Sequence, residues 1–479
     1  MKFTPSKYQE AIFEEVQNGN ENIVVNATAG SGKTTTIVEC LNYIPEDQDV
    51  AFVAFNKHIA KTLESKAPKH VHVMTLHSMG LKAVKSVMGR KKVNTSKMFQ
   101  IVKKLNEEVY TNFPFEERKK VTPIVMKMVS HLKGSLLEPT EDNIDAIANK
   151  HGMQFNTTLP VYDMIAKSME LSEETTMGID FDDMIWMPYQ FNMVGKQYDV
   201  IVVDETQDLN PAQVELLMSS LKKGGRVIAV GDPCQSLYGF RGADTEAMPK
   251  LIDRLNAKVM PLSISYRCPT SHVELAQTIV PEIEAADNAI EGAIHDIKED
   301  DLMGYVSPDD LCVCRYNAPL VRPAFDLLAQ GIKVCIRGID IGTGLTKLIK
   351  GFGTNDLDVM SSKLDIWAEK EYIKAEKKGL NTDPIDDKVN TIYAFIDMSG
   401  ARNVAELIIH IEEIFDDSRA QVTFSSVHRA KGLEADNVFV IKPSAMPSRH
   451  AKQEWEMIQE KNIQYVAFTR AKENLYMVE

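Results

Sequence analysis

The chain of 479 residues is 44% hydrophobic and 25% charged, and its formal net charge is −14. This much apolar material predicts roughly two to four domains, and no run approaches the roughly 18 apolar residues that a membrane span needs. The acidic balance argues against a polyanion partner unless basic residues are concentrated locally.

Neither the amino terminus nor the cysteines indicate secretion. Residues 1–8 lack the charged and apolar regions of a signal peptide, and the six cysteines show no CxxC spacing. We therefore expect a cytoplasmic or nucleoid-associated protein with reduced thiols and no membrane partner. Cys312 and Cys314 alternate with Leu311 and Val313, so both thiols should face the same side of a buried strand.

Short β-rich runs separated by helical stretches recur in two blocks, which predicts an α/β chain with two doubly wound parallel sheets. The first block contains strands at 22–27, 50–55, 71–75, 200–204 and 227–231. The second contains strands at 259–263, 311–314, 333–337, 421–426, 437–441 and 475–478.

A mainly helical segment interrupts each block. We predict a first domain from 1–80 and 179–258 with an insertion at 81–178, and a second from 259–340 and 418–479 with a short insertion at 341–417. Glycines at 342, 344, 351 and 353 suggest a mobile entry to the short insertion. Between residues 81 and 134 about thirteen Lys or Arg stand against four Asp or Glu, which fits a solvated helical face or a nucleic-acid surface.

A phosphate-binding loop is predicted where the run ATAGSGKT at 27–34 follows an apolar strand and opens a helix. Its glycines let backbone N–H groups face phosphates at a helix amino terminus. Lys33 would reach the β- and γ-phosphates of ATP, and the Thr34 hydroxyl would bind Mg²⁺. The predicted nucleotide contacts of the loop are Ala29, Gly30, Ser31, Gly32, Lys33, Thr34 and Thr35.

Two carboxylates end an apolar strand in the run VIVVDE at 200–205, the pattern of a Walker B element. Ligands gather at the carboxyl ends of parallel strands, so these acids should lie beside the phosphate loop. Asp204 would hold the metal and Glu205 would polarise the attacking water. An exposed acidic turn is the alternative interpretation.

With these residues in place, the chain resembles the UvrD/Rep/PcrA branch of superfamily 1 DNA helicases, through motifs in family order from Gln9 to Arg470. The local wording is most similar to the F-box DNA helicases, although no F-box is apparent. The resemblance implies two recA-like P-loop domains. It also implies that Gln9 reads the adenine edge, that Tyr266 stacks on adenine and that Glu434 contacts the ribose.

The resemblance further implies three γ-phosphate contacts. Gln235 would sense the γ-phosphate and orient water, while Arg267 and Arg470 would be the two arginine fingers. Because both arginines belong to the second block and Lys33 to the first, ATP would lie between two domains and draw them together.

The resemblance also implies a track for single-stranded DNA made of stacking aromatics and polar groups. Its members would be Asn56, Thr75, His77, Tyr238, Phe240, Arg241 and His428. Two departures weaken stacking: Ala54 stands where the family has an aromatic residue, with Phe55 displaced by one position, and Phe240 replaces the usual Trp.

The resemblance implies an ATP-dependent DNA helicase that moves 3′-to-5′ and engages single strands and single/double-strand junctions, with replication, repair or recombination proteins as partners. Two alternatives stay open. The chain could be a translocase that strips bound proteins with little unwinding, or an ATP-gated DNA-binding or loading protein. RNA also stays open as a substrate, because stacking tracks accept either sugar.

Overall fold

The computed structural model describes residues 4–54, 57–64, 67–151, 153, 155, 157–195, 197–237, 247–377, 381–416, 420–451 and 454–479. The described residues divide into two compact units. The first takes Met1–Ala27, Gly32–Pro233 and Tyr238–Leu262, and the second takes Thr28–Ser31, Cys234–Leu237 and Ser263–Glu479.

A six-stranded sheet forms the centre of the first unit, in the order β3-β2-β4-β5-β1-β6. All its paired strands run parallel, as their nearly continuous apolar sequences predict for strands that are covered on both faces. The strands are β1 Ile23–Ala27, β2 Val50–Ala54, β3 Val71–Thr75, β4 Tyr198–Val203, β5 Leu221–Gly231 and β6 Lys258–Leu262.

One predicted strand was assigned to the wrong sheet. We placed the strand at 259–263 in the second block, but β6 pairs in parallel with β1 from Ile23↔Lys258 to Ala27↔Leu262. The assignment failed because an edge strand with the polar-apolar pattern of Lys258–Leu262 carries no signal for which sheet it joins.

Helices cover both faces of this sheet or form the segment between β3 and β4. They are α1 Lys7–Asn18, α2 Lys33–Cys40, α3 Lys57–Glu64, α4 Leu76–Met88, α5 Lys97–Glu108, α6 Phe115–Ser135, α7 Glu141–Lys150, α8 Val161–Glu173, α9 Phe181–Gln190, α10 Pro211–Ser220 and α11 Ala247–Leu255. The side chain of Ser6 caps α1 and that of Thr75 caps α4, which fixes where each helix begins.

The segment from α4 to α9 has an apolar core of its own and, within it, a buried ionic cluster. Asp183 on α9 lies 2.7 Å from the Nζ atoms of both Lys97 on α5 and Lys133 on α6, and all three side chains are at most 1% exposed. Lys97 also donates to the Ser172 carbonyl at 2.6 Å. Three helices are therefore held in register around one carboxylate.

The second unit is built on another parallel sheet, in the order β11-β12-β10-β13-β14-β9, beside a two-stranded pair. The predicted α/β class with two parallel sheets is therefore confirmed. The strands are β7 Ile264–Ser265, β8 Glu284–Ala285, β9 Ala293–Ile297, β10 Leu311–Cys314, β11 Val334–Ile336, β12 Val422–Ser426, β13 Ala435–Ile441 and β14 Ala471–Val478.

Strand β10 has two buried faces. Cys312 and Cys314 enter one apolar cluster and Leu311 and Val313 the other, which confirms the prediction that the two thiols share a face. Strand β9, at the sheet edge, was not predicted, because its sequence AIHDI lacks a continuous apolar run.

The helices of the second unit include four that lie in sequence between β11 and β12. The α-helices of the described part of this unit are α12 Thr270–Gln277, α13 Ala318–Ala329, α14 Ile339–Gly351, α15 Leu357–Lys377, α16 Asp383–Ser399, α17 Val404–Ile414 and α18 Glu454–Phe468. The glycines at 342, 344 and 351, which the sequence analysis placed in a mobile entry to the short insertion, lie in the helix α14. At Gly342 a Cβ would come within 2.9 Å of the Phe415 ring, so close helix packing explains this glycine.

Among the described residues, no helix combines the length and apolarity needed to cross a bilayer. The same residues contain no group of three or more His, Cys, Asp or Glu arranged to hold a metal ion, and the six cysteines are free thiols.

Candidate functional site

The phosphate loop joins β1 to α2 through two glycines in left-handed conformation. Gly30 has φ 72° and Gly32 has φ 75°, values that favour glycine. Gly32 precedes the first residue of α2 and no side-chain hydrogen bond caps that helix. The first N–H groups of α2 are therefore available to an anion.

Lys33 and Thr34, at the start of α2, each face a carboxylate of the first unit. The Nζ atom of Lys33 lies 3.8 Å from Asp232 Oδ2, and the hydroxyl of Thr34 donates to Asp204 Oδ2 at 3.1 Å. Asp204 follows β4 and Asp232 follows β5, so both acids lie at the carboxyl edge of the sheet, where β1 also ends. Thr35 is exposed on the same helix.

The carboxylate of Asp204 is buried and has a perturbed pKa. It is 2% exposed, and burial raises its pKa to about 6, with Glu205 adding to the rise and Lys33 and Thr34 opposing it. Its other oxygen accepts the backbone N–H of Glu205 at 2.8 Å. A buried anion of this kind is stabilised by a cation, and a carboxylate beside a threonine hydroxyl offers the hard oxygen atoms that Mg²⁺ prefers.

Glu205 is held in place by a residue that the sequence analysis missed. Glu205 has the left-handed φ of 55°, and its carboxylate accepts a hydrogen bond from Gln207 Nε2. The Oε1 atom of Gln207 accepts the Asp232 N–H at 3.1 Å, so this buried amide connects the two acidic turns. A Cβ at Gly231 would come within 2.7 Å of Gln207 Oε1, which explains the glycine. The run DETQD at 204–208 was the available signal.

Residues 28–31 of the phosphate loop group with the second unit. Thr28 Oγ1 donates to the Ser263 carbonyl at 2.9 Å, Ala29 N–H donates to Tyr465 Oη at 2.7 Å, and Gly30 O accepts the Tyr266 N–H at 2.9 Å. Ser31 closes the turn by donating its hydroxyl to the Thr28 carbonyl at 2.8 Å. The loop therefore has hydrogen-bond partners beyond its own helix.

Gln9, the predicted adenine contact, is 2% exposed. Its Oε1 accepts the Ser6 N–H at 2.9 Å and its Nε2 donates to Thr36 Oγ1 at 2.9 Å. Both ends of the amide are thus held within the first unit, and each end has the chemical capacity for one further hydrogen bond. The adenine role stays a prediction.

Arg267 and Glu434 form an ion pair in the second unit. Arg267 Nη2 lies 2.6 Å from Glu434 Oε2, and Lys472 Nζ lies 2.9 Å from the other carboxylate oxygen. Burial raises the pKa of Glu434, but Lys472 and Arg267 outweigh it and lower the pKa below its usual value. The neighbouring Tyr266 is 50% exposed, as a residue that stacks on a ligand must be.

The other two predicted γ-phosphate residues are buried in the second unit. Arg470 is 1% exposed, and its Nε donates to the Val466 carbonyl at 3.0 Å on α18. Gln235 is 6% exposed in the short turn Pro233–Gln235. Their roles toward a phosphate stay predictions.

Two predicted strand contacts of the first unit lie at the junction of β3 and α4. Thr75 caps α4 by accepting the Ser78 N–H at 3.2 Å. His77 meets the ring of Phe181 edge-on, with 5.5 Å between ring centroids, and Phe181 is 48% exposed. Phe181 is an exposed aromatic that the sequence analysis passed over.

His428, in the second unit, is uncharged at neutral pH. Burial lowers its pKa to about 3, and the neighbouring Arg315 and Arg429 lower it further. It would therefore contact a strand as a neutral hydrogen-bonding group. The remaining predicted strand contacts, Asn56, Tyr238, Phe240 and Arg241, lie outside the described residues.

Comparison with known proteins finds two helicase family models and several curated helicases that match this chain. A model described as the UvrD/REP helicase N-terminal domain matches residues 8–256, and one described as the UvrD-like helicase C-terminal domain matches residues 421–478. The chain is 25% identical to F-box DNA helicase 1 of Gallus gallus over 514 aligned residues. The alignment covers 98% of this chain and 48% of that protein.

Two further relatives follow the same pattern. F-box DNA helicase protein 1 of Schizosaccharomyces pombe is 24% identical, over 98% of this chain and 57% of its own length. ATP-dependent DNA helicase PcrA of Staphylococcus aureus is 25% identical over 293 residues, or 56% of this chain and 39% of its own length. The chain therefore spans about half the length of the curated relatives it matches.

Proposed function

Because the chain belongs to the UvrD/REP helicase family, we propose that it is an ATP-dependent DNA helicase that translocates on single-stranded DNA. The observation that carries the proposal is the cluster of Lys33, Thr34 and Asp204 at the carboxyl edge of the first sheet. Helicases of this type use ATP, generally with Mg²⁺. The residues of the cluster suit both, since the loop offers N–H groups and an ammonium to phosphates and the acid offers oxygen to a metal.

Thr34 and Asp204 would hold Mg²⁺, which when bound supplies positive charge beside the β- and γ-phosphate oxygens. Lys33 would leave Asp232 and bind the same phosphates. Glu205 would accept a proton from the attacking water, and Gln207 would keep the Glu205 carboxylate in position through its hydrogen bond. Thr34, Asp204 and Glu205 are already oriented by hydrogen bonds within the protein, so little reorganisation of these three groups would accompany the chemical step.

The second unit would contribute positive charge to the transition state. Arg267 would exchange Glu434 for the γ-phosphate, and Lys472 would remain to neutralise Glu434. Arg470 and Gln235 are the further proposed γ-phosphate contacts, with Tyr266, Gln9 and Glu434 at the nucleoside. A nucleotide held by residues of both units would make their closure depend on hydrolysis.

The proposed strand contacts of the first unit are Thr75, His77 and the added Phe181. An exposed aromatic that stacks on a base contributes about 1–3 kcal/mol without regard to sequence, which suits a track. His428 would add a neutral contact from the second unit, and Asn56, Tyr238, Phe240 and Arg241 complete the proposal. The 3′-to-5′ direction is carried over from the family, and the domain bounds predicted from the sequence are part of the same proposal.

A translocase that displaces bound proteins with little unwinding is the second candidate. It is favoured by the small size of the helical segment between β11 and β12, whose described residues form the four helices α14 to α17. An ATP-gated binding or loading protein would instead show slow turnover and no movement.

A strand-displacement assay tests the proposal on duplexes that carry a single-stranded tail at the 3′ or the 5′ end. We expect ATP-dependent displacement only with the 3′ tail, and none with Glu205→Gln, which keeps the size of the side chain but removes the base. DNA-stimulated ATP hydrolysis without displacement, accompanied by removal of a bound protein block, would favour the translocase. Absence of DNA-stimulated hydrolysis would overturn both.

A further inference from the structure

The phosphate loop changes units in its middle. Residues 28–31 group with the second unit, whereas Gly32 and the helix α2 that follows group with the first. The two left-handed glycines, Gly30 and Gly32, flank Ser31, the last residue before this change. The loop that would bind the phosphates is therefore covalently part of both units.

Tyr465 makes the shortest hydrogen bond to this loop segment. The residue lies on α18 with no exposed surface, and its Oη accepts the Ala29 N–H at 2.7 Å. Its ring packs with Ala29, Cys268 and Val273 in one apolar cluster. A buried N–H that loses its acceptor is costly, so this hydroxyl determines the position of the loop at Ala29.

The same tyrosine is joined to the segment that carries Arg470. The Tyr465 carbonyl accepts both the N–H and the hydroxyl of Thr469, at 3.2 Å and 2.8 Å, and Arg470 donates to the carbonyl of Val466 one residue further along α18. Displacement of Tyr465 would therefore shift the backbone segment that carries the Arg470 side chain.

A second link reaches the other arginine. Gly30 O accepts the Tyr266 N–H at 2.9 Å, directly before Arg267. A Cβ at Gly30 would lie 2.6 Å from Ser265 Oγ and 2.7 Å from Arg267 Cβ, so the loop and the arginine-bearing turn are in close contact. The loop segment thus touches both stretches of chain that hold the proposed arginine fingers.

We propose that Tyr465 is a positioning residue whose hydroxyl couples the phosphate loop to Arg470, so that a nucleotide seated on the loop aligns the arginine for hydrolysis. The inference rests on the proposed ATPase function and assigns to that site a residue that touches no substrate. Loss of the Tyr465 hydroxyl should weaken stabilisation of the transition state for hydrolysis while leaving the affinity for ADP unchanged.

The test is Tyr465→Phe in the full chain, with binding of ADP and of ADP with aluminium fluoride, a mimic of the transition state, measured in Mg²⁺ and single-stranded DNA. We expect the mimic to bind about five- to tenfold more weakly, which is the effect of one lost hydrogen bond. ADP affinity should stay within twofold, and kcat should fall by the same factor as the mimic affinity.

Two control variants separate coupling from structure. Tyr476→Phe removes a hydroxyl from a tyrosine stacked on Phe439 in the same unit and should leave both affinities unchanged. Thr28→Val removes the hydrogen bond from the Thr28 hydroxyl to the Ser263 carbonyl, which lies outside the helix α18 that leads to Arg470, and should leave the ratio of the two affinities at the wild-type value.

Equal weakening of ADP and the mimic by Tyr465→Phe, or no weakening of either, would overturn the inference. Failure of the wild-type protein to bind the mimic more tightly than ADP would instead count against the proposed ATPase, so the two failures can be told apart. Melting temperatures of all variants check that the fold is retained.

Discussion

At the scale of single residues, Asp204 combines a functional role with an energetic cost. Its pKa rises from an ordinary 3.8 to about 6, which corresponds to about 3 kcal/mol of unfavourable free energy once the carboxylate is ionised. The folded protein holds the proton more tightly than the unfolded chain, so stability decreases as the pH rises from about 4 through about 6 and stays lower above that. The proposed Mg²⁺ would offset this cost by supplying a counter-charge to the ionised Asp204 carboxylate.

Asp204→Asn should therefore stabilise the metal-free protein while abolishing ATP hydrolysis. We expect the free energy of unfolding at pH 7.5 to increase by about 1–3 kcal/mol and to differ little from wild type near pH 4, because the wild-type carboxyl is protonated there. Denaturant titration in a chelator at both pH values measures this. Asp253→Asn, at an exposed carboxylate of α11, is the control, and an Asp204→Asn variant no more stable than wild type at pH 7.5 would contradict the prediction.

At the scale of elements, sequence patterns located most strands but not all their partners. Continuous apolar runs such as the VIVV of residues 200–203 identify buried strands, and a glycine loop before Lys33 identifies the phosphate site. Gln207 lies in the same local run as Asp204 and Glu205, whereas hydrogen bonds between distant segments leave no local pattern, so the contact of Tyr465 with Ala29 could be found only from the fold. The same holds for β6, whose pairing with β1 depends on tertiary contacts.

The buried cluster of Lys97, Asp183 and Lys133 is an element-scale feature of this kind. Asp183→Asn would remove the carboxylate that lies 2.7 Å from two ammonium groups whose side chains are at most 1% exposed. Removal of one partner from a buried ionic network costs about 3–5 kcal/mol, so we expect the free energy of unfolding to fall by about that amount.

Equilibrium unfolding in urea measures the loss, and Glu107→Gln is the matched control. Glu107 is paired with Lys103 on α5, but both side chains are about 60% exposed, so its replacement should cost less than about 0.5 kcal/mol. If Asp183→Asn were as mild as Glu107→Gln, the cluster would not hold α5, α6 and α9 together.

At the scale of the whole molecule, the residues proposed to act on ATP are divided between the two units. Lys33, Thr34 and Asp204 belong to the first, and Arg267, Glu434 and Arg470 to the second. The chain order of these residues could be read from the sequence, but the division of the phosphate loop between the units could not. Hydrolysis that needs both sets would link the chemical step to motion of the whole chain.

Replacement of Arg267 by Ala tests this dependence. An arginine that stabilises charge on a transferring phosphoryl group contributes about 10³–10⁵-fold to the rate, so we expect kcat for DNA-stimulated ATP hydrolysis to fall at least hundredfold. Arg267 is 20% exposed and bonds a half-exposed partner, so the fold should tolerate its loss. Arg254→Ala, which removes an exposed arginine paired with Glu215 in the first unit, is the control and should leave kcat within twofold. Turnover by Arg267→Ala within tenfold of wild type would mean that the first unit hydrolyses ATP without this arginine, and the motor would need another means of joining hydrolysis to movement.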